Sequence, residues 1–388
     1  DVTMAMRHLL KSTGKKKPGL MSKAAQLFLN STDERAIRMI RKGMIEFGYF
    51  GQRLGYQAVH RFGLDRGQKR LPPATVGKPP VVEQVIHFLN RPLPAGLPSQ
   101  TGRALLGLED PKVVPILRNP DKNVGEDNEA VFYFPGCGSE RLFSQVGIAT
   151  LAMLHEVGTQ TVLPPGYLCC GYPQIAVGDR EKGESITTAN RVLFHRVANT
   201  LNYLDIKTVL VSCGTCMDQL LKYEFGKIFP GCRLMDIHEY LAEKGVRLDG
   251  VTGTHYMYHD PCHTPMKLGN PLATTKALLN ADVKLSERCC GESGTFAATR
   301  PDIATQVKFR KSEEIRRVAD GLRSGDEKVK LLTSCPSCLQ GLARYGAEAG
   351  TEADYIVVEL AKHLLGERWM ADFVARVNAG GVVEKVLL

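Results

Sequence analysis

No stretch of the 388 residues holds about 18 or more consecutive apolar side chains, and nothing at the start resembles a secretory signal. A membrane-spanning helix is therefore not expected, and any membrane contact would be peripheral. Cysteine is absent from residues 1–130 and then occurs 11 times, so the first third can contribute no thiolate to any site. Net charge is missing from the other end. Residues 131–388 balance 29 Lys and Arg against 29 Asp and Glu, while residues 1–130 hold 21 against 12 and carry the whole excess of +9. That basic region lacks the interleaved aromatics and motifs of a nucleic-acid binder. A solvated basic face remains, or docking on an acidic partner or an anionic membrane surface. GCGSE at residues 136–140 lacks the further glycine or the Lys-Ser/Thr of a phosphate loop. What is present in quantity, 43% apolar residues, suffices for ordinary cores in two or three domains.

The chain starts at Asp1 inside an apolar-periodic stretch, where Val2, Met6, Leu9 and Leu10 recur at helical spacing, so further protein is expected upstream. Residues 1–70 read as a helical basic region. Lys15, Lys16 and Lys17 form one run there, Arg35, Arg38, Arg41 and Lys42 follow on one helix, and Ser31 with Glu34 reads as a capping box ahead of AIRMIRKGMIEF. Ten prolines break residues 71–129 into a connector that wraps the next domain, with short helices near 81–90 and 101–107. From Ala130 strands and helices alternate. Strands are expected at 131–134, 161–163, 207–212 and near 233, then at 255–259, 282–286, 329–334 and 355–359, with helices between them. The fold class is α/β, with two duplicated lobes of parallel sheet at 130–250 and 251–388, the second ending in a tail, behind a helical N-terminal region.

The cysteines give the duplication its sharpest form. Cys137, Cys169, Cys170, Cys213 and Cys216 recur as Cys262, Cys289, Cys290, Cys335 and Cys338, at offsets of 120 to 125 residues. Each set is a single Cys, an adjacent pair followed by glycine, and a CxxC. Adjacent residues make a strained disulfide, and a long chain without a secretory signal keeps its thiols reduced, so metal ligation is the expected role. FPGCG, SCGTC and TSCPSC each follow an expected strand, and the last two open helices, whose N-termini favour thiolate over thiol. The glycine after each pair is expected to let the backbone approach a bulky inorganic core. Five thiolates exceed the needs of one tetrahedral zinc ion, so iron with bridging sulfide is the better match. His259 and His263 flank Cys262 as ligands, proton donors or groups bonded behind the ligands. Asp260 and Glu292 are expected to cap helices, and Cys232 to act as a small apolar residue.

This pattern of Cys, Cys-Cys-Gly and CxxC over residues 130–365 resembles the cysteine-rich CCG-domain family. That family includes the iron-sulfur subunits of glycolate oxidase and anaerobic glycerol-3-phosphate dehydrogenase, lactate-utilisation proteins and the B subunit of heterodisulfide reductase. YHDPCH (258–263) and SERCCG (286–291) are similar to the glycolate and lactate branch. The resemblance implies one iron-sulfur cluster of 4Fe-4S type per motif, non-cubane in heterodisulfide reductase, with all ten cysteines named above as ligands. It leaves one copy open to zinc, because the gaps within the two motifs differ. It further implies a ferredoxin-like domain upstream of Asp1 and FAD on a partner or upstream domain. The protein would then be the electron-transfer part of a flavin-linked dehydrogenase of lactate or glycolate, with a flavoprotein partner and a quinone or electron-transfer protein as acceptor. A heterodisulfide-reductase-like unit with its own thiol chemistry is the alternative, and a structural zinc protein the third reading. The expected location is the cytoplasm or the inner face of its membrane, without nucleic acid or a transmembrane segment.

Overall fold

The computed structural model describes residues 2–15, 20–64, 77, 79–122, 130–292, 296–323 and 325–388. Lys16, Lys17, Pro72 and Pro73 fall outside these residues. Among the described residues ten strands build two sheets. They are β1 (Val113–Leu117), β2 (Ala130–Phe134), β3 (Gln160–Val162), β4 (Ile206–Val211), β5 (Arg233–Asp236), β6 (Thr254–His259), β7 (Val283–Ser286), β8 (Lys328–Thr333), β9 (Glu352–Tyr355) and β10 (Val383–Leu387). The first sheet runs β10-β1-β3-β2-β4-β5 and the second β7-β6-β8-β9. Within them β3-β2-β4-β5 and β7-β6-β8-β9 are parallel four-stranded units of the same strand order. The duplication expected from the cysteines is therefore a duplication of topology.

Period-2 alternation sends the side chains of these strands into different cores. Val131 and Tyr133 of β2, Tyr256 and Tyr258 of β6, and Leu332 of β8 face one core shared by both sheets. That core is filled by helices Ser144–Glu156, Ile237–Glu243, Pro271–Leu279 and Ile356–Leu365. Phe132 and Phe134 point the other way, against Phe194, Phe225 and Phe229, while Met257, Val329 and Leu331 face helix Pro301–Leu322 and its neighbours. One helical layer thus lies between the sheets and one outside each. The inner layer explains a departure from the sequence reading. The stretch 355–359 was expected as a strand, yet β9 ends at Tyr355 and Ile356 opens a helix. Ile356, Val357, Val358, Leu360 and Ala361 are all buried in that layer, and the β-branched run Ile356 to Val358 reads locally as strand, because the polar Glu359, Lys362 and His363 of this helix come only after it.

Two strands were not expected at all. β1 lies in the proline-rich segment and pairs antiparallel with β3 and with β10, so the C-terminal strand ends on the first sheet. Pro115 sits in β1, where its missing N–H is tolerated near the sheet edge. The short helices expected nearby are Val81–Leu89 and Gly102–Leu106.

The described part of residues 1–70 is helical, as expected, in helices Val2–Ser12, Leu20–Asn30, Glu34–Lys42 and Phe50–Arg61, with a π-helical turn Gly43–Tyr49 joining the last two. Its capping differs. Asp33, not Ser31, caps helix Glu34–Lys42 by accepting from the Ala36 N–H. The expected basic face is also incomplete, since Arg41 is 1% exposed and donates to the carbonyls of Arg141 (2.6 Å), Ser99 (2.9 Å) and Leu142 (3.2 Å). A side chain read as solvated charge is instead a clamp holding the helical region against the turn after Cys137. Tyr49 reaches the second sheet's side through Gln340, at 2.8 Å. The first third therefore straddles both halves.

The halves meet most tightly where Gly214, opening helix Gly214–Leu220, touches the loop after β6. A β-carbon at Gly214 would stand 1.4 Å from the His263 carbonyl oxygen, closer than any packing allows. Gly214→Ala is accordingly expected to lower stability by about 3 kcal/mol or more, because the obstacle is backbone. Gly226→Ala, with open space around it, serves as the neutral control. Arg41→Met, which keeps volume but removes the donors, is expected to cost about 3 kcal/mol. Urea unfolding of the metal-free chain reads all three, and an Arg41→Met midpoint equal to wild type would show that those carbonyls find other donors.

Candidate metal centre

All ten expected thiols lie beyond the C-terminal ends of parallel strands, where side chains from distant positions converge, with Cys216 and Cys338 in the first turns of the helices that follow. Cys137 follows β2, Cys169 and Cys170 follow β3, and Cys213 and Cys216 follow β4. Cys262, Cys289, Cys290, Cys335 and Cys338 repeat this after β6, β7 and β8. Cys213 and Cys335 are the N-cap residues of helices Gly214–Leu220 and Pro336–Ala343, so free N–H groups and the positive dipole end face each CxxC.

The thiols form one unbroken chain of contacts. All are free thiols, and Cys137 neighbours Cys169, Cys169 neighbours Cys170, Cys170 neighbours Cys216, and Cys216 neighbours Cys213. In the other half Cys262 neighbours Cys289, Cys289 neighbours Cys290, Cys290 donates to Cys338 at 3.5 Å, and Cys338 neighbours Cys335. The two runs join, because Cys213 and Cys335 are neighbours as well. Sulfurs in contact cannot all ionise. Cys169, Cys213 and Cys289 are pulled well below the ordinary thiol range, foremost by sulfur donors at Cys137, Cys216 and Cys262. Their partners are pushed up, Cys290 to about 11 by its bond to Cys289. Seven of the ten are buried, Cys137 is partly so, and Cys262 and Cys289 are exposed. Cys232 stands apart and half-buried, packed on the outer core of the first sheet as a small apolar group. Five soft donors in each half fit thiolate-held iron-sulfur chemistry and exceed one tetrahedral zinc site.

The glycines after the pairs serve a purpose other than the one expected. A β-carbon at Gly171 would meet the Gly183 carbonyl at 2.8 Å, and one at Gly291 would meet Lys308 Cγ at 2.7 Å, with positive φ at both. They let the Cys-Cys turn pack on its neighbouring helix, and no room is made on the thiol side. The same turns are held by matching tyrosines, Tyr223 donating to the Cys170 carbonyl and Tyr345 to that of Cys290, at 2.9 and 3.0 Å.

Around this shared frame the halves differ. Helix Arg180–Thr200 offers neutral Thr187 and Asn190 beside the first site, and the positions 121 residues on are Lys308 and Lys311. Lys308 pairs with Glu292 at 2.7 Å and, desolvated by burial, is lowered to about 8. Glu292 also accepts from Gln340 and faces Arg344, so it is a buried ion-pair centre and not the helix cap expected. Asp260 accepts from the Tyr258 hydroxyl. His263 bonds Asp218 through Nδ1 and Tyr172 through Nε2 (3.1 Å), while Lys267 reaches Asp218 at 3.1 Å. Tyr172, Asp218, Lys308 and Lys311 were missed in the sequence, although an offset of 121, between the 120 of the adjacent pairs and the 122 of the CxxC pairs, sets the last two opposite Thr187 and Asn190. His259 lies with Cys290 and Cys338 in one buried group whose donor atoms are within 4.8 Å of one another.

Comparison with known proteins agrees with this geometry. The profile of the cysteine-rich CCG domain matches residues 131–221 and 256–343, which contain all ten thiols, and one described only as a domain of unknown function matches residues 343–388. One subunit of the fumarate reductase (CoM/CoB) of Methanothermobacter marburgensis is 27% identical over 250 residues, 62% of this chain and 45% of the relative. Lactate utilization protein A of an Exiguobacterium species is 26% identical over 235 residues, 55% of this chain and 88% of the relative. One subunit of the dihydromethanophenazine:CoB–CoM heterodisulfide reductase of Methanosarcina acetivorans is 26% identical over 265 residues, 63% of this chain and 61% of the relative. The chain spans about half the length of the first of these. No solved structure matches it. The two thiol sets thus lie inside two separate segments that are similar to the cysteine-rich CCG domain, one in each half of the chain.

Proposed function

We propose that this chain is the iron-sulfur electron-transfer portion of a flavin-linked dehydrogenase of a 2-hydroxy acid such as lactate or glycolate. The observation that carries the reading is the junction of the two five-thiol sets at Cys213 and Cys335. Clusters bound there would supply one-electron carriage between flavin and acceptor. The chain's own residues hold the two centres close together, bury most of their donors and leave Cys262 and Cys289 open to a partner or small molecule. The relatives named as lactate utilization protein A and as reductase subunits support an oxidoreductase component.

The helical first third fits a docking role. Met39, Phe47, Phe50 and Leu54 are each at least half exposed, among Arg35, Arg38, Lys42 and Arg53. An apolar and basic face of this kind suits an acidic flavoprotein, an upstream ferredoxin-like domain or a quinone-bearing membrane surface at the cytoplasmic side. Among the described residues no helix is long and apolar enough to cross a membrane.

A second reading has its own support. Relatives include subunits of a CoM/CoB-linked fumarate reductase and of a heterodisulfide reductase. The exposed Cys262 and Cys289 beside Tyr172, His263 and Asp218 offer an open, polar face where a thiol or disulfide could bind.

Anaerobic purification of the whole protein is expected to yield iron and acid-labile sulfide together, with Cys170→Ala and Cys290→Ala each lowering iron by about half. Zinc without iron or sulfide in the wild-type protein would sink both electron-transfer readings. Added thiols are expected to leave the paramagnetic spectrum unchanged under the first reading. A new thiol-dependent signal lost on changing residues at the open face, as in His263→Ala, would favour the second.

A further inference from the structure

His259 closes β6 where Phe134 closes β2, 125 residues earlier, and Cys137 and Cys262 share that offset. The two side chains thus occupy equivalent places beside their sites. Phe134 can only pack. His259 is 1% exposed, and its Nε2 is buried without a hydrogen-bond partner. Leaving such a nitrogen unsatisfied costs about 1–3 kcal/mol, which calls for a partner that is not one of the protein's own polar groups.

The rest of the ring is accounted for. Nδ1 lies 3.3 Å from the Ser286 carbonyl oxygen, which can only accept, so Nδ1 carries the proton and Nε2 keeps its lone pair. Lys311 Nζ stands 3.4 Å from Nδ1 but makes its closer contacts with Ser286 Oγ (2.6 Å) and Glu314 (3.3 Å). A histidine that donates one nitrogen's proton to a carbonyl and keeps a free lone pair on the other has the arrangement of a metal ligand. One ring nitrogen of His259 and the sulfurs of Cys290 and Cys338 lie within 4.8 Å of one another.

We propose that His259 is a protein ligand of the second centre through Nε2, so that this centre combines nitrogen and sulfur while the first is held by sulfur alone. The proposal rests on reading the two thiol sets as metal centres. It makes the duplicated sites chemically unequal, and where imidazole replaces thiolate on iron the reduction potential rises.

The test uses the whole protein, purified anaerobically with isotopically labelled histidine and examined by pulsed paramagnetic resonance. One of the two centres is expected to show a strong nitrogen coupling that changes with the label. That coupling is expected to be lost in His259→Phe, which installs the first half's residue, and in His259→Asn, which keeps a donor for the Ser286 carbonyl but has no Nε2. The first centre's signal persists in both and reports that the chain has folded. If zinc fills the second site, zinc-edge X-ray absorption is expected to show a nitrogen among sulfur ligands, lost in both variants. Metal present without nitrogen coordination, or coordination surviving in both variants, overturns the proposal. Absence of metal from both sites would overturn the metal-centre reading itself and the ligand with it.

Discussion

Repulsion between neighbouring thiolates is the constraint on which the rest of the structure depends. Two unit charges 3.5 Å apart, the separation of Cys290 and Cys338, repel by about 5 kcal/mol at an effective dielectric of ~20. A chain of ten such groups cannot all be charged unless cations lie among them. Every feature of the surroundings follows from placing the sulfurs together in spite of that cost. Parallel strands bring their C-terminal ends to one place, helix N-termini face Cys213 and Cys335, and the missing side chain of Gly214 lets one half reach the other.

Duplication explains what the halves share, and charge explains how they differ. The tyrosines that hold the Cys-Cys turns match, and so do the bonds from Tyr133 to Ser212 and from Tyr258 to Ser334. These are contacts that set the position of a backbone. Side chains that touch the sites from the flanking strand and helix have diverged, with His259, Lys308 and Lys311 standing for Phe134, Thr187 and Asn190. The sheet, the turns and the thiols therefore make two centres of one design, and the residues packed around them give each its own electrostatic setting. In the electron-transfer reading proposed above, two equal centres would provide no preferred direction for an electron, and unequal ones would.

Much of this was legible in the sequence, for identifiable reasons. Alternating strands and helices announce parallel sheets through local periodicity, and the cysteines announce the repeat because chemistry fixes both residue type and spacing. The stretch from Ile356 failed because the β-branched run Ile356 to Val358 has strand propensity and precedes the polar Glu359, Lys362 and His363 that mark the helix. Arg41 failed because nothing local marks an arginine whose acceptors are the carbonyls of residues 58 to 101 positions away. Glu292 failed likewise. Its partners Lys308, Gln340 and Arg344 come from two later helices, and only the fold brings them to one carboxylate. Strands β1 and β10 pair residues 266 to 274 positions apart, so neither end of that ladder is visible from its own neighbourhood.

The position of the Cys213–Cys335 contact has one further consequence. Both residues are N-caps, and each CxxC helix follows a strand of its own sheet, so the backbone that carries each sulfur moves with a helix of its own half. The Tyr355 hydroxyl adds a 2.7 Å bond to the Ser212 carbonyl, tying the end of β9 to the residue that precedes Cys213. A shift of either helix thus moves a sulfur that stands against the other set. The pair of centres is mechanically a single site, divided between two sheets and closed by contacts that neither sheet could make alone.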